Sequence, residues 1–170
     1  ILLFERPIKS GDFVTVGDVE GFVRKISIRA TEIETLDNQD MLIPNSELVS
    51  GRVTNWVLHN PYGRLIVKIG VAYGSDIEKV SKILEETATE HDQVISDGRA
   101  SPPKALFMAF GDSSLDFELR VRIVDIQKRY DVLSDLNFTI NQKFESEGIV
   151  IPFPQRDLHI KDWSEESKKK

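Results

Sequence analysis

The chain has no cysteine and only two methionines, two tryptophans and three histidines among 170 residues. Without cysteine there is no disulfide framework and no thiolate metal site, and the composition fits a reducing compartment. His59, His91 and His159 are far apart, and none has a second ligand at metal-binding spacing, so no metal site is expected. No apolar run approaches the ~20 residues that span a bilayer. The most apolar stretch, Ile1-Leu2-Leu3-Phe4, stands at the very start, as though the chain were cut from a longer one. There is no glycine-rich phosphate loop and no pair of carboxylates at glycosidase-like spacing. Asp112-Ser113-Ser114 has no base placed beside either serine, so a turn is expected there rather than a nucleophile. These absences exclude a recognisable enzyme centre, and no cofactor is expected. Net charge is −6, with 22 basic residues scattered among 28 acidic ones. Nucleic acid needs a basic surface to neutralise phosphates, so it is not an expected partner.

What is present is a soluble-domain composition, 40% hydrophobic and 29% charged. The first half reads as strands and turns. Pro7 and Gly11-Asp12 break any incoming helix. Phe13-Val14-Thr15-Val16 is a short strand, and Gly17-Asp18 makes the hairpin turn after it. Val19, Gly21 and Val23 share one face, while Ile26, Ile28 and Ala30 follow on the other parity. One extra residue near Arg24-Lys25 resolves this as a β-bulge. Thr31, Ile33 and Thr35 alternate with Glu32 and Glu34 in a half-buried strand. Asp37-Asn38-Gln39-Asp40 turns the chain into Met41-Leu42-Ile43. Pro44 stiffens the approach to Asn45, which suits left-handed geometry, and Asn45 or Ser46 caps a short helical turn ended by Gly51. A last strand covers 52–56. Five short strands with tight turns indicate a small, strongly curved barrel or sandwich.

The pattern changes character after a linker, His59-Asn60-Pro61-Tyr62-Gly63. Leu65, Val67, Ile69 and Val71 alternate as a strand. Ser75 and Glu78 form a capping box for a helix over 76–91, with Ile77, Val80, Ile83, Leu84 and Thr87 in one stripe. His91 at its end complements the helix dipole. Residues 105–110 are continuously apolar and read as a central strand. Leu115, Phe117, Leu119, Val121 and Ile123 all face one way, and Asp116, Glu118, Arg120 and Arg122 the other. A sheet with one charged face carries its helices on the opposite face. A second helix over 132–147 presents Leu133, Leu136, Ile140 and Phe144 and is capped by Gly148. With 149–151 as a fourth strand, this is an α+β fold of the ferredoxin-like split β-α-β type. Pro152-Phe153-Pro154 then leads into a strand-like alternation through Leu158 and Ile160, and 163–170 is charged and expected to be disordered.

The spelling G-x-V-x-x-I-x-x-R-x-T over 21–31, followed by Ile43-Pro44-Asn45-Ser46, resembles the cytoplasmic β-domain of the small-conductance mechanosensitive channel family. Gly21, Arg29, Thr31, Pro44, Asn45 and Ser46 carry that motif. The resemblance extends over nearly the whole chain. It implies a pore-helix linker over 1–10, an Sm-like barrel β-domain over 11–60 and a ferredoxin-like α/β domain over 61–151. A terminal strand over 152–162 would give Pro152, Phe153, Pro154, Leu158 and Ile160 to subunit assembly. Asn38 stands where the family often has glycine, a position asparagine tolerates. The membrane helices lie outside this sequence. By resemblance, seven copies form a hollow chamber on the cytoplasmic face of a bacterial inner membrane. Ions and small solutes would pass through its side openings when tension opens the pore. Arg6 and Lys9 are then either lipid-headgroup contacts or a solvated linker. The alternative reading is a ligand-binding regulatory module, which rests on fold analogy alone.

Overall fold

The computed structural model describes residues 8–59 and 61–159. Two antiparallel sheets follow one another along the chain, each with its own buried cluster. The first contains β1 (Phe13–Val16), β2 (Val19–Ile26), β3 (Ala30–Thr35), β4 (Asp40–Pro44) and β5 (Val53–Asn55), in the order β4-β3-β2-β1-β5. A six-residue helix, α1 (Asn45–Ser50), follows β4. Ile8, Val14, Val16, Val23, Ile33, Ile43 and Leu48 fill the core of this unit.

The bulge falls where the parity change places it, between Val23 and Lys25 in the β2–β3 register. It sets the Arg24 guanidinium against the Glu34 carboxylate on the next strand. That hydrogen bond holds Glu34 below its ordinary carboxylate range. Arg24 is exposed and Glu34 only half-buried, so the pair is screened by water and adds little to stability. The expectation that Ile28 continues the buried face fails. β2 ends at Ile26, and Ile28 sits on a turn with 87% of its surface exposed. Asn38 is left-handed at φ 57°, as its place in the β3–β4 turn requires.

The second sheet contains β6 (Gly63–Val71), β7 (Lys104–Phe110) and β8 (Leu115–Ile123), in the order β6-β8-β7. Helices α2 (Ile77–Thr89) and α3 (Arg129–Glu147) pack on one face of it. The alternation in β8 is the organising signal. Leu115, Phe117, Leu119, Val121 and Ile123 are buried beneath Val80, Leu84, Leu136, Ile140 and Phe144. Gly148 closes α3 with φ 69°, the left-handed cap that favours glycine.

Three readings of this half are corrected. Asp76, not Ser75, caps α2: its carboxylate accepts from the Glu78 and Lys79 amides, while Ser75 Oγ donates to the Ala72 carbonyl. β7 is an edge strand, because β8 takes the centre, and Phe107, Met108 and Phe110 are exposed on it. A continuous apolar run therefore marked an open edge. Residues 149–151 form no strand. One hydrogen bond, from the Ala72 amide to the Val150 carbonyl, brings this segment to the end of β6, the side on which a fourth ferredoxin-like strand would add.

Candidate functional site

Among the described residues, no three His, Cys, Asp or Glu side chains converge to hold a metal. His91 is tied locally, its Nδ1 accepting from the Gln93 amide at 3.2 Å.

The β-domain motif closes on Asn45. Its backbone amide donates to the Arg29 carbonyl at 2.9 Å. Its side-chain amide donates to the carbonyls of Ser27 at 2.9 Å and Ile28 at 3.2 Å. Its Oδ1 accepts from the hydroxyl of Thr31, which is fully buried, at 2.8 Å. Asn45 thus staples the turn between β2 and β3 to the start of α1. Neither expected role holds: α1 has no side-chain cap, and the backbone of Asn45 is not left-handed. Pro44 pairs with Ala30 at the end of β4. Arg29 and Ser46 are exposed; Ser46 gives its carbonyl to Ser50 Oγ at 2.8 Å. Gly21 is buried on β2, hard against the Glu34 carbonyl of β3. We expect Asn45→Ala to cost about 2 kcal/mol, because it strands a buried hydroxyl and two turn carbonyls. Asn45→Asp keeps the acceptor for Thr31 but sets a carboxylate oxygen against the Ser27 and Ile28 carbonyls, so it should be no milder at neutral pH; urea denaturation measures both, and an Asn45→Ala midpoint equal to that of the parent would contradict the staple.

The entry to the β-domain is held by Asp12, which sequence reasoning passed over as a turn residue. Its carboxylate accepts from the Lys9 amide at 3.0 Å and from Asn55 Nδ2 at 2.7 Å, with only 6% of the residue exposed. The incoming segment is thereby fixed to both β1 and β5. Lys9 is exposed, and Arg6 lies outside the described residues.

Arg129 joins the two sheets. It opens α3, and its Nη2 donates to Glu20 on β2 at 2.6 Å across 109 residues of sequence. Its guanidinium lies 4.4 Å from the Tyr130 ring centroid and 5.2 Å from that of Phe13, a fully buried residue of β1. Its Nη1 is buried without a hydrogen-bond partner among the described residues.

After Ile149 the chain runs without regular structure through residue 159. The expected strand is therefore absent over residues 152–159. Pro152 is half-buried, Pro154 exposed, Phe153 84% exposed and Leu158 81% exposed. The Gln155 amide donates to Ser113 Oγ at 3.0 Å. Ile160 lies outside the described residues.

Among the described residues no helix covers the other face of the second sheet, which is charged, with cations at one end and Lys68 opposite Glu118 toward the other. Register sets Arg64 opposite Arg122, and Lys104 opposite Arg120, while Glu118 and Asp116 occupy the other end. Like charges directly opposite each other on neighbouring strands are destabilising by roughly 0.2–1 kcal/mol.

Comparison with known proteins gives a consistent result. Residues 1–58 match the model of the mechanosensitive ion channel β-domain, and residues 65–151 match that of the MscS C-terminal region. The mechanosensitive channel MscK of Escherichia coli is 44% identical over 160 residues, 94% of this chain and 14% of that protein. An MscS family protein of Haemophilus influenzae is 43% identical over 162 residues, 95% of this chain and 14% of that one. The chain thus spans about a seventh of the length of these relatives. The crystal structure of Helicobacter pylori MscS in its closed state superposes with a TM-score of 0.85 at 28% identity, covering 96% of this chain and 63% of that one. Arabidopsis thaliana MSL1 shares the fold at a TM-score of 0.71 and 18% identity.

Proposed function

This chain belongs to the MscS family of mechanosensitive ion channels, and we propose that it forms the cytoplasmic vestibule of such a channel. In this reading, copies assemble into a ring below a membrane pore on the inner membrane, seven of them by the family resemblance. Ions and small solutes pass through the cage when tension opens the pore. The units are a linker over 1–10, a β-domain over 11–60, an α/β domain over 61–151, a terminal barrel strand over 152–162 and a charged tail over 163–170. The chain performs no chemistry; its work is assembly, filtering and support of the pore helices.

The observation that carries this reading is the exposure of the terminal segment. Phe153 and Leu158 find no burial among the described residues of their own chain. Pro152 and Pro154 lack amide hydrogens and cannot enter an ordinary central strand. An extended segment with apolar side chains and unpaired edges is stable only beside another strand, and parallel strands from symmetry-related copies would close a barrel with no edge left. Exposed Phe107, Met108 and Phe110 on edge strand β7 add a second apolar surface of the same kind. Native mass spectrometry of the chain with and without residues 152–170 tests the assembly role. We expect oligomers from the longer form only. Two equally monomeric forms would overturn the terminal barrel.

A further inference from the structure

We propose that the basic end of the open β6-β8-β7 face is a binding site for a phosphate-type anion, either a soluble phosphate ester or a phospholipid headgroup. Arg64, Lys104, Arg120 and Arg122 line a cleft of about 530 Å³ together with Ser101 and Leu106. That volume lies within the range of small-molecule sites, roughly 300–1,000 Å³. Among the described residues no helix covers this face of the sheet, so the cleft opens outward.

The charge arrangement calls for an anion. The chain as a whole is acidic, yet two cation pairs sit directly opposite each other in the register, Arg64 with Arg122 and Lys104 with Arg120. Arg120 is bound to Glu118 through Nε at 3.0 Å and Nη2 at 2.8 Å, so that carboxylate is already engaged. Arg64, Lys104 and Arg122 form no salt bridge among the described residues. Arg64 and Arg122 are direct cross-strand neighbours, and Lys104, opposite Arg120 on the other side of β8, lies diagonally from Arg122 at roughly 7–8 Å, within reach of long side chains. A phosphoryl group offers several charged oxygens and can bridge cations at that spacing. A lone carboxylate matches one guanidinium fork and leaves the others unneutralised. Leu106 on the same face gives an apolar wall for the organic part of an ester. This assignment rests on register and charge alone and stands apart from the channel reading.

The test titrates the whole chain with pyrophosphate at low salt by calorimetry. In parallel, it is sedimented with phosphatidylcholine vesicles with and without phosphatidylglycerol. We expect saturable binding in one arm, and the arm that responds identifies the source as soluble phosphate or headgroup. The double variant Lys104→Gln/Arg122→Gln should weaken binding about tenfold or more, since each charge-assisted hydrogen bond is lost outright. Both side chains are exposed. Without ligand the variant should melt no lower than the parent, because each substitution relieves a like-charge pair. Lys128→Gln, on an exposed residue outside the cleft, should leave binding unchanged. Absence of binding in both arms, or binding that survives the double variant, would overturn the site.

Discussion

Replacing Gly21 with valine should destabilise the β-domain by about 3 kcal/mol, at the upper end of what overpacking costs. A Cβ built at this position runs into the Glu34 carbonyl oxygen, with the Glu34 carbonyl carbon at 2.8 Å and Ile33 Cγ2 at 2.9 Å. The nearest colliding atoms are the Glu34 backbone carbonyl, so no rotamer change relieves the clash. Gly21 is not left-handed, and close strand approach is the whole requirement. β2 pairs with β1 through Val14 and with β3 through Thr35 at this same residue. To admit a side chain, the β2–β3 ladder must part beside the bulge that curves it. Fully buried Ile33 is then displaced as well. Even Gly21→Ala should be clearly destabilising. Urea denaturation monitored by circular dichroism measures both, and a valine variant within about 0.5 kcal/mol of the parent would place these strands farther apart than described.

Arg129→Ala should uncouple the two sheets and cost about 3 kcal/mol. Breaking a buried pair from one side costs roughly 3–5 kcal/mol. Here the side chains are 13% and 27% exposed, which lowers that figure, while loss of the stacking on Tyr130 and Phe13 raises it again. Lost packing by the arginine stem contributes too, so Arg129→Met should recover part of the loss without restoring the charge. The direct readout is cooperativity. The parent should unfold in one transition, and Arg129→Ala in two, with faster proteolysis in the connection between β5 and β6. A single transition at the parent's midpoint would show that Arg129 does not couple the units.

How far these features could be read from the sequence depended on how far apart the interacting residues lie. Strand β8 was legible because alternation is local: every second residue from Leu115 to Ile123 is apolar, and the structure buries all five. The bulge at Arg24-Lys25 was legible for the same reason, since a parity change needs an extra residue. The cap of α2 was half-legible. Ser75 and Asp76 are both good caps, and only the observed backbone shows which side chain reaches the free amides. Centrality of β7 was misread because an apolar run means burial by something, not burial within the same chain. Asn45 and Arg129 were beyond local reading. The partners of Asn45 lie 14 to 18 residues back at Thr31, Ile28 and Ser27, and Glu20 lies 109 residues from Arg129. The motif marked Asn45 as important without saying that it is a staple, and nothing in the spelling around Arg129 pointed to β2.

The vestibule reading is tested most directly by patch clamp. Escherichia coli MscK, 44% identical over the matched segment, would carry this chain in place of its own counterpart. The account predicts a chimera that reaches the membrane and opens under applied suction. A second chimera with Arg129→Ala should lose current or open unstably. A first chimera that inserts and assembles like the parent yet passes no tension-gated current would contradict the assignment of this chain as a channel vestibule.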